Sequence, residues 1–102
     1  MNPIDRAYDA VRGMERAVSG LMLVAYSWLG QDEHGNAIRV IDNTIKQIEH
    51  NPRFNSLVEI LTRISERIED GQASESREIL RELITKMGDE FHREIIARQE
   101  MA

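Results

Sequence analysis

The chain contains no cysteine. That excludes disulfides, thiolate metal sites and cysteine nucleophiles together. Proline is scarce as well, occurring only as Pro3 and Pro52, beside six glycines in 102 residues. So little punctuation predicts a few long helices. No excess of base is present: the formal charge is −5, and acids outnumber bases in both halves. Nucleic-acid binders carry a basic stripe that neutralises phosphates, so no nucleic-acid partner is expected. A long apolar run is also missing. The most apolar stretch, Leu21 to Ala25, is far shorter than the ~20 residues that cross a bilayer, and no membrane partner is expected. The opening Met1-Asn2-Pro3-Ile4-Asp5-Arg6 is polar and acidic, unlike a signal peptide. The expected location is cytoplasmic.

What is present fits one globular domain over residues 1–102, with 41% hydrophobic and 30% charged residues. No segment alternates with a period of two, which predicts an all-α fold. Asn2 followed by Pro3 is a helix start: Asn caps free amides and Pro suits the first turn. From there Ile4, Ala7, Val11, Met14, Val18, Leu21, Ala25 and Trp28 recur at alternating spacings of three and four. That predicts one first helix running to Gly30, with those residues as its packing seam. A second helix begins near Asn36 or Ala37, with Ile38, Ile41, Ile45 and Ile48 as its seam, and ends before Pro52. Asn51-Pro52 caps a short turn. Ser56-Leu57-Val58-Glu59 reads as a capping box opening a third helix, which Asp70-Gly71 closes. The fourth starts near Ser74 or Ser76 and carries Leu80, Leu83, Ile84, Met87 and Phe91. Pairs such as Glu82 with Lys86 and Asp89 with Arg93 favour its continuing through Gly88, with fraying after Ile96. The expected architecture is a small antiparallel helical bundle of about four helices, dimeric through helix 1.

The candidate site is the second half of the first helix. Leu23 and Tyr26 fall on the side away from the seam, flanked by Met22 and Val24, so this stretch is apolar all round. A helix apolar all round must be buried all round, and three further helices in so short a chain leave part of it to a partner. Met14, Val18, Leu21, Met22, Leu23, Ala25, Tyr26, Trp28 and Leu29 are therefore the expected partner or dimer interface, within a homodimer. On this reading Leu23→Glu or Trp28→Asp yields monomer or aggregate. Gly13 and Gly20, seven apart, would share one side of that helix.

Other chemistry finds little support. His34, His50 and His92 form no Glu-x-x-His pair and read as solvated, so no metal and no other cofactor is expected. Glu66-x-x-Glu69-Asp70 is a fragment of the paired acidic groups that magnesium-dependent helical hydrolases need. Interspersed Arg63, Arg67, Arg77 and Arg81 make it a solvated, paired face. No serine sits in a Gly-x-Ser-x-Gly elbow and no Gly-rich phosphate loop occurs, so there is no catalytic site to name. Trp28-Leu29-Gly30 resembles the Trp-x-Gly turn of small secreted WXG-type hairpins, but Pro52 and Asp70-Gly71 interrupt what would be that family's second helix. The functional expectation is a non-enzymatic regulatory, adaptor, chaperone or inhibitor protein that acts by protein–protein contact with a partner the sequence does not identify. An alternative is a module that binds a small ligand or nucleotide in an Arg-lined pocket between helices or across the dimer.

Overall fold

Asn2 accepts a 3.0 Å hydrogen bond from the Asp5 amide and Pro3 opens the first helical turn, as the sequence implies. The computed structural model describes residues 2–101, and every regular element among them is helical. There are six α-helices: α1 (Pro3–Ala10), α2 (Glu15–Gly30), α3 (His34–Ile48), α4 (Asn55–Glu69), α5 (Ala73–Met87) and α6 (Glu90–Met101). A 3-10 turn, Pro52–Phe54, leads into α4. The all-α expectation holds. The count of four does not, because two of the four expected helices are each divided.

The first division falls at Val11–Met14. Gly13 there has φ +90°, a left-handed conformation that side-chain-bearing residues adopt only under strain. The carbonyls left open at the end of α1 are taken by Arg53, whose Nε donates to Ala10 O at 2.8 Å and Nη2 to Arg12 O at 2.7 Å. Arg53 is held in place by the turn that Asn51 caps, accepting from the Arg53 amide at 3.0 Å. A guanidinium from forty residues away thus ends α1, which spacing along the first helix cannot reveal. Gly13→Ala is expected to lower stability by about 1–2 kcal/mol, and Arg53→Ala by about 1 kcal/mol. Urea unfolding would measure both.

The second division falls at Gly88-Asp89. Gly88 is extended (ψ 165°), and the Asp89 carboxylate accepts from the His92 amide at 3.0 Å, capping α6. The expected Asp89–Arg93 pair gives way to other partners. Asp89 meets Arg16 at 3.0 Å, and Arg93 donates to Gly88 O at 2.7 Å. Lys86 likewise pairs with Asp5 at 3.4 Å instead of Glu82. The tail, expected to fray, continues as helix to Met101 because Gln99 donates to Ser27 Oγ at 2.7 Å and Glu100 pairs with Arg81. Ala102 lies outside the described residues.

Helices α2, α3, α4 and α5 pack in cyclic order, each on the next and α5 back on α2, while α1 lies on α4 and α6 on α2. Breaking the first helix resets its register. The inward seam of α2 is Val18, Met22, Ala25 and Leu29, widened by Ser19, Leu23 and Tyr26, and not the continuation of Ile4, Ala7 and Val11 through Leu21 and Trp28. Helix α3 starts at His34 and is rotated similarly: Ala37, Ile41 and Thr44 are buried, whereas Ile38, Ile45 and Ile48 are only partly covered. Helix α4 begins one residue before Ser56, with no side-chain cap at Phe54, so the Ser56–Glu59 capping box is not used. The 3-10 turn runs straight into α4 and leaves no open end to cap. Asp70-Gly71 closes that helix as expected.

Candidate functional site

Six of the nine residues expected at an interface are buried within this same chain. Val18, Met22, Leu23, Ala25, Tyr26 and Leu29 are each at most 8% exposed, enclosed by the helices packed on α2. The premise that one chain lacks the bulk to hide them does not hold, since dividing the fourth helix folds α6 back onto α2 as an extra cover. The wrapping is nonetheless incomplete. Met14, Leu21 and Val24 are 40%, 38% and 47% exposed, and Trp28 is half-buried against the core. With exposed Ala17 they form an outward stripe at 14, 17, 21, 24 and 28, spaced three, four, three and four. This is a packing seam that faces solvent.

Two shallow depressions border the stripe. One is lined by Gly13, Met14, Ala17, Gly20 and His92 together with the charged Glu15 and Arg16, and the other by Leu23, Val24, Ser27, Trp28, Gln31 and Ile95. A Cβ built on Gly13 or Gly20 would meet nothing within 4 Å, so the first of these is open at the backbone itself. Phe91, one turn before Ile95 on α6, is 60% exposed. The expectation that Gly13 and Gly20 share a helical side is corrected in one respect: Gly13 lies in the turn before α2.

Beneath the stripe a polar link joins α2 to α6. Ser19 Oγ lies 2.8 Å from His92 Nδ1, with both residues buried. His92 is therefore not the solvated residue expected, whereas His34 and His50 are exposed. A serine beside a histidine has the atoms of a nucleophile and its base, but Ser19 is 0% exposed, so no substrate reaches Oγ. Asp89 bonds the His92 backbone and not its ring, and among the described residues no acid bonds the imidazole as a third group. The link fastens α6 to α2.

That same amide, with Arg16 assisting, holds the Asp89 carboxyl below the ordinary carboxylate range. A depressed acid stabilises the fold at pH values above its unfolded pKa, and the contribution disappears as pH falls through the lowered value. Asp89→Asn keeps the cap without the charge. The gap in melting temperature between wild type and this variant is thus expected to narrow as pH is lowered from 7 through and below the ordinary carboxylate range, followed by circular dichroism.

At its other end α2 meets a second polar group. The Arg77 guanidinium stacks over the Tyr26 ring at 4.4 Å, and the Tyr26 hydroxyl donates to Glu100 at 3.3 Å. Burial raises the Tyr26 phenol above its ordinary value, a shift that Arg77 opposes. These contacts tie α2, α5 and α6 together where Gly30 comes against Arg77. Among the described residues no three of His, Asp and Glu come together as a metal-holding group. No helix of the described residues is long and apolar enough to cross a membrane.

On the opposite side, where α1 crosses α4 and α5, lies a cleft of about 190 Å³. Its floor is Pro3, Ile4, Ile60 and Ile79, and Arg63 and Arg67 stand at its edge. Among the described residues neither arginine is in an ion pair with an acid, contrary to the paired face expected there. Arg81 does pair, with Glu78 at 3.6 Å and with Glu100. The chain matches no protein-family model, no curated protein and no solved structure.

Proposed function

We propose that this is a non-enzymatic helical protein of the regulatory, adaptor, chaperone or inhibitor type, working by protein–protein contact through the outward face of α2. The observation that carries this reading is the solvent-facing stripe that runs from Met14, just before α2, through Ala17, Leu21, Val24 and Trp28, on a helix whose inner side its own chain buries. Apolar side chains at heptad spacing gain little by facing water, and exposed patches of this kind are characteristic of contact surfaces. Methionine and tryptophan are among the residues enriched there. The rigid helices behind the stripe present it with little ordering cost on binding.

The test is the double variant Leu21→Glu/Val24→Glu. It is expected to fold like wild type, because both side chains are largely outside the core, while abolishing association. Sedimentation of each protein, combined with affinity capture from its native cell, reads this out. If wild type is monomeric and captures nothing that the variant fails to capture, the reading is lost.

A second reading has one specific observation in its favour: the Arg63–Arg67 cleft over an apolar floor. It suits a small anion with an aliphatic body, since guanidinium groups match carboxylate and phosphate geometry. Octanoate is then expected to raise the melting temperature and octanol not to, and Arg63→Gln/Arg67→Gln to remove the difference. Equal shifts with the two ligands would exclude an anion site.

A further inference from the structure

We propose that the occupant of the α2 face is a second copy of this chain, laid antiparallel across it about a twofold axis level with the midpoint between Leu21 and Val24. This rests on the reading of that face as a contact surface, and adds both partner and register.

The spacing of the stripe carries the argument. A twofold axis requires one patch to complement itself. The four members of the stripe on α2 itself, Ala17, Leu21, Val24 and Trp28, are separated by four, three and four residues, so their pattern coincides with its own reversal, while Met14, in the turn before the helix, falls opposite the second copy's Gln31. An antiparallel copy in that register brings Leu21 opposite the second copy's Val24, and Ala17 opposite its Trp28. The sizes also match. Trp28 is the largest side chain of the stripe and Ala17 the smallest. Gly13 and Gly20 flank Ala17, and space beside both is empty. The indole of each copy therefore enters a notch that the other copy leaves open. A parallel pairing would set Trp28 against Trp28 and the notch against itself.

Charge agrees with the same register. In sequence Arg12 and Glu33 are equally far from the midpoint, Arg12 in the turn before α2 and Glu33 just after the turn that follows it. Arg12 is exposed, pairs with exposed Asp9 at 3.6 Å and lies over the Tyr8 ring at 5.8 Å. Glu33 is exposed and, among the described residues, has no ion-pair partner. Antiparallel packing places each Arg12 beside the second copy's Glu33, and the positive end of each helix dipole beside the negative end of the other. The parallel arrangement would set like charges together. One helix from each copy makes a small interface, so association on the order of micromolar is expected.

Because the chain has no cysteine of its own, engineered thiols report register directly. Leu21→Cys and Val24→Cys are made separately and oxidised alone and as an equimolar mixture. The mixture is expected to form the disulfide-linked mixed dimer at least tenfold faster than either variant links to itself. Faster self-linking of either variant overturns the antiparallel register. Arg12→Glu and Glu33→Arg are each expected to weaken association about two- to fivefold, and their combination in one chain to restore it. No recovery in the combined variant overturns the register as well. Wild type that sediments as a monomer at 100 μM overturns the proposed occupant. In that case capture of a different protein, lost in Leu21→Glu/Val24→Glu, leaves the contact reading standing with another partner.

Discussion

Met22→Glu is expected to leave the chain largely unfolded at 25 °C, whereas Val24→Glu, two residues further on, melts within a few degrees of wild type. Met22 is fully buried at the centre of α2, and Val24 is 47% exposed. Removing a buried apolar side chain of that size costs about 2–5 kcal/mol. Placing an unpaired carboxylate in the gap adds several more, less whatever is recovered by protonating it. A domain of this length has only about 5–15 kcal/mol to lose. Val24→Glu removes little buried area and puts charge in water, where a substitution typically changes stability by no more than about 0.5 kcal/mol. Urea titration followed by circular dichroism separates the two outcomes. Equal destabilisation by both variants would mean that α2 is turned differently from the orientation described. Leu23→Glu belongs with Met22→Glu. Read from sequence it tests a dimer contact, but a Leu23 that is 8% exposed tests the core instead.

The helical class and the ends marked by Asn2-Pro3, Gly30, Asn51-Pro52 and Asp70-Gly71 were legible because caps and breakers act within a few residues of themselves. The rotation of α2 was not. Its apolar residues occupy both sides, and periodicity alone cannot rank an inner seam of Val18, Met22, Ala25 and Leu29 above an outer one of Leu21, Val24 and Trp28. The decision is made by what packs on it, chiefly α3 and α5, with α6 as a further cover. The presence of α6 there depends in turn on the break at Gly88. Likewise the end of α1 depends on Arg53, a contact between residues more than forty apart. The apolar second half of the expected first helix, which lies within α2, stood out in the sequence. Its division into a buried and an exposed side came only from the fold, which leaves Met14, Leu21 and Trp28 of the expected set on the outside or at its edge. Val24 and Ala17, left out of that set, complete the stripe. Heptad spacing counted from Trp28 backwards, without assuming continuity through Gly13, is the signal that would have found them.

Gly88→Ala is expected to destabilise the protein by about 1–3 kcal/mol, although alanine is the better helix former by about 1 kcal/mol and the site was expected to be helical. Backbone conformation is not the obstacle, since φ −82° suits any residue. Space is. A Cβ there would lie 2.5 Å from Ser19 Oγ, 2.7 Å from the Ile84 carbonyl oxygen and 2.9 Å from His92 Cβ. Two of these neighbours belong to the Ser19–His92 link, and the third is backbone that cannot swing aside. The glycine is thus what lets α5 end, α6 turn back and the serine–histidine bond close in one small volume. Ser19→Ala alone removes the bond and leaves His92 Nδ1 buried without its partner, a loss of about 1–3 kcal/mol. In the double variant the Oγ clash is gone, so the combined loss should be less than the sum of the two single losses. Strict additivity in a double-mutant cycle measured by urea unfolding would show that Gly88 and Ser19 do not share this volume. A Gly88→Ala protein as stable as wild type would show that the fourth helix runs straight through, as its sequence first suggests. In that case α6 would not lie on α2, and Leu23 and Tyr26 would again need some other cover.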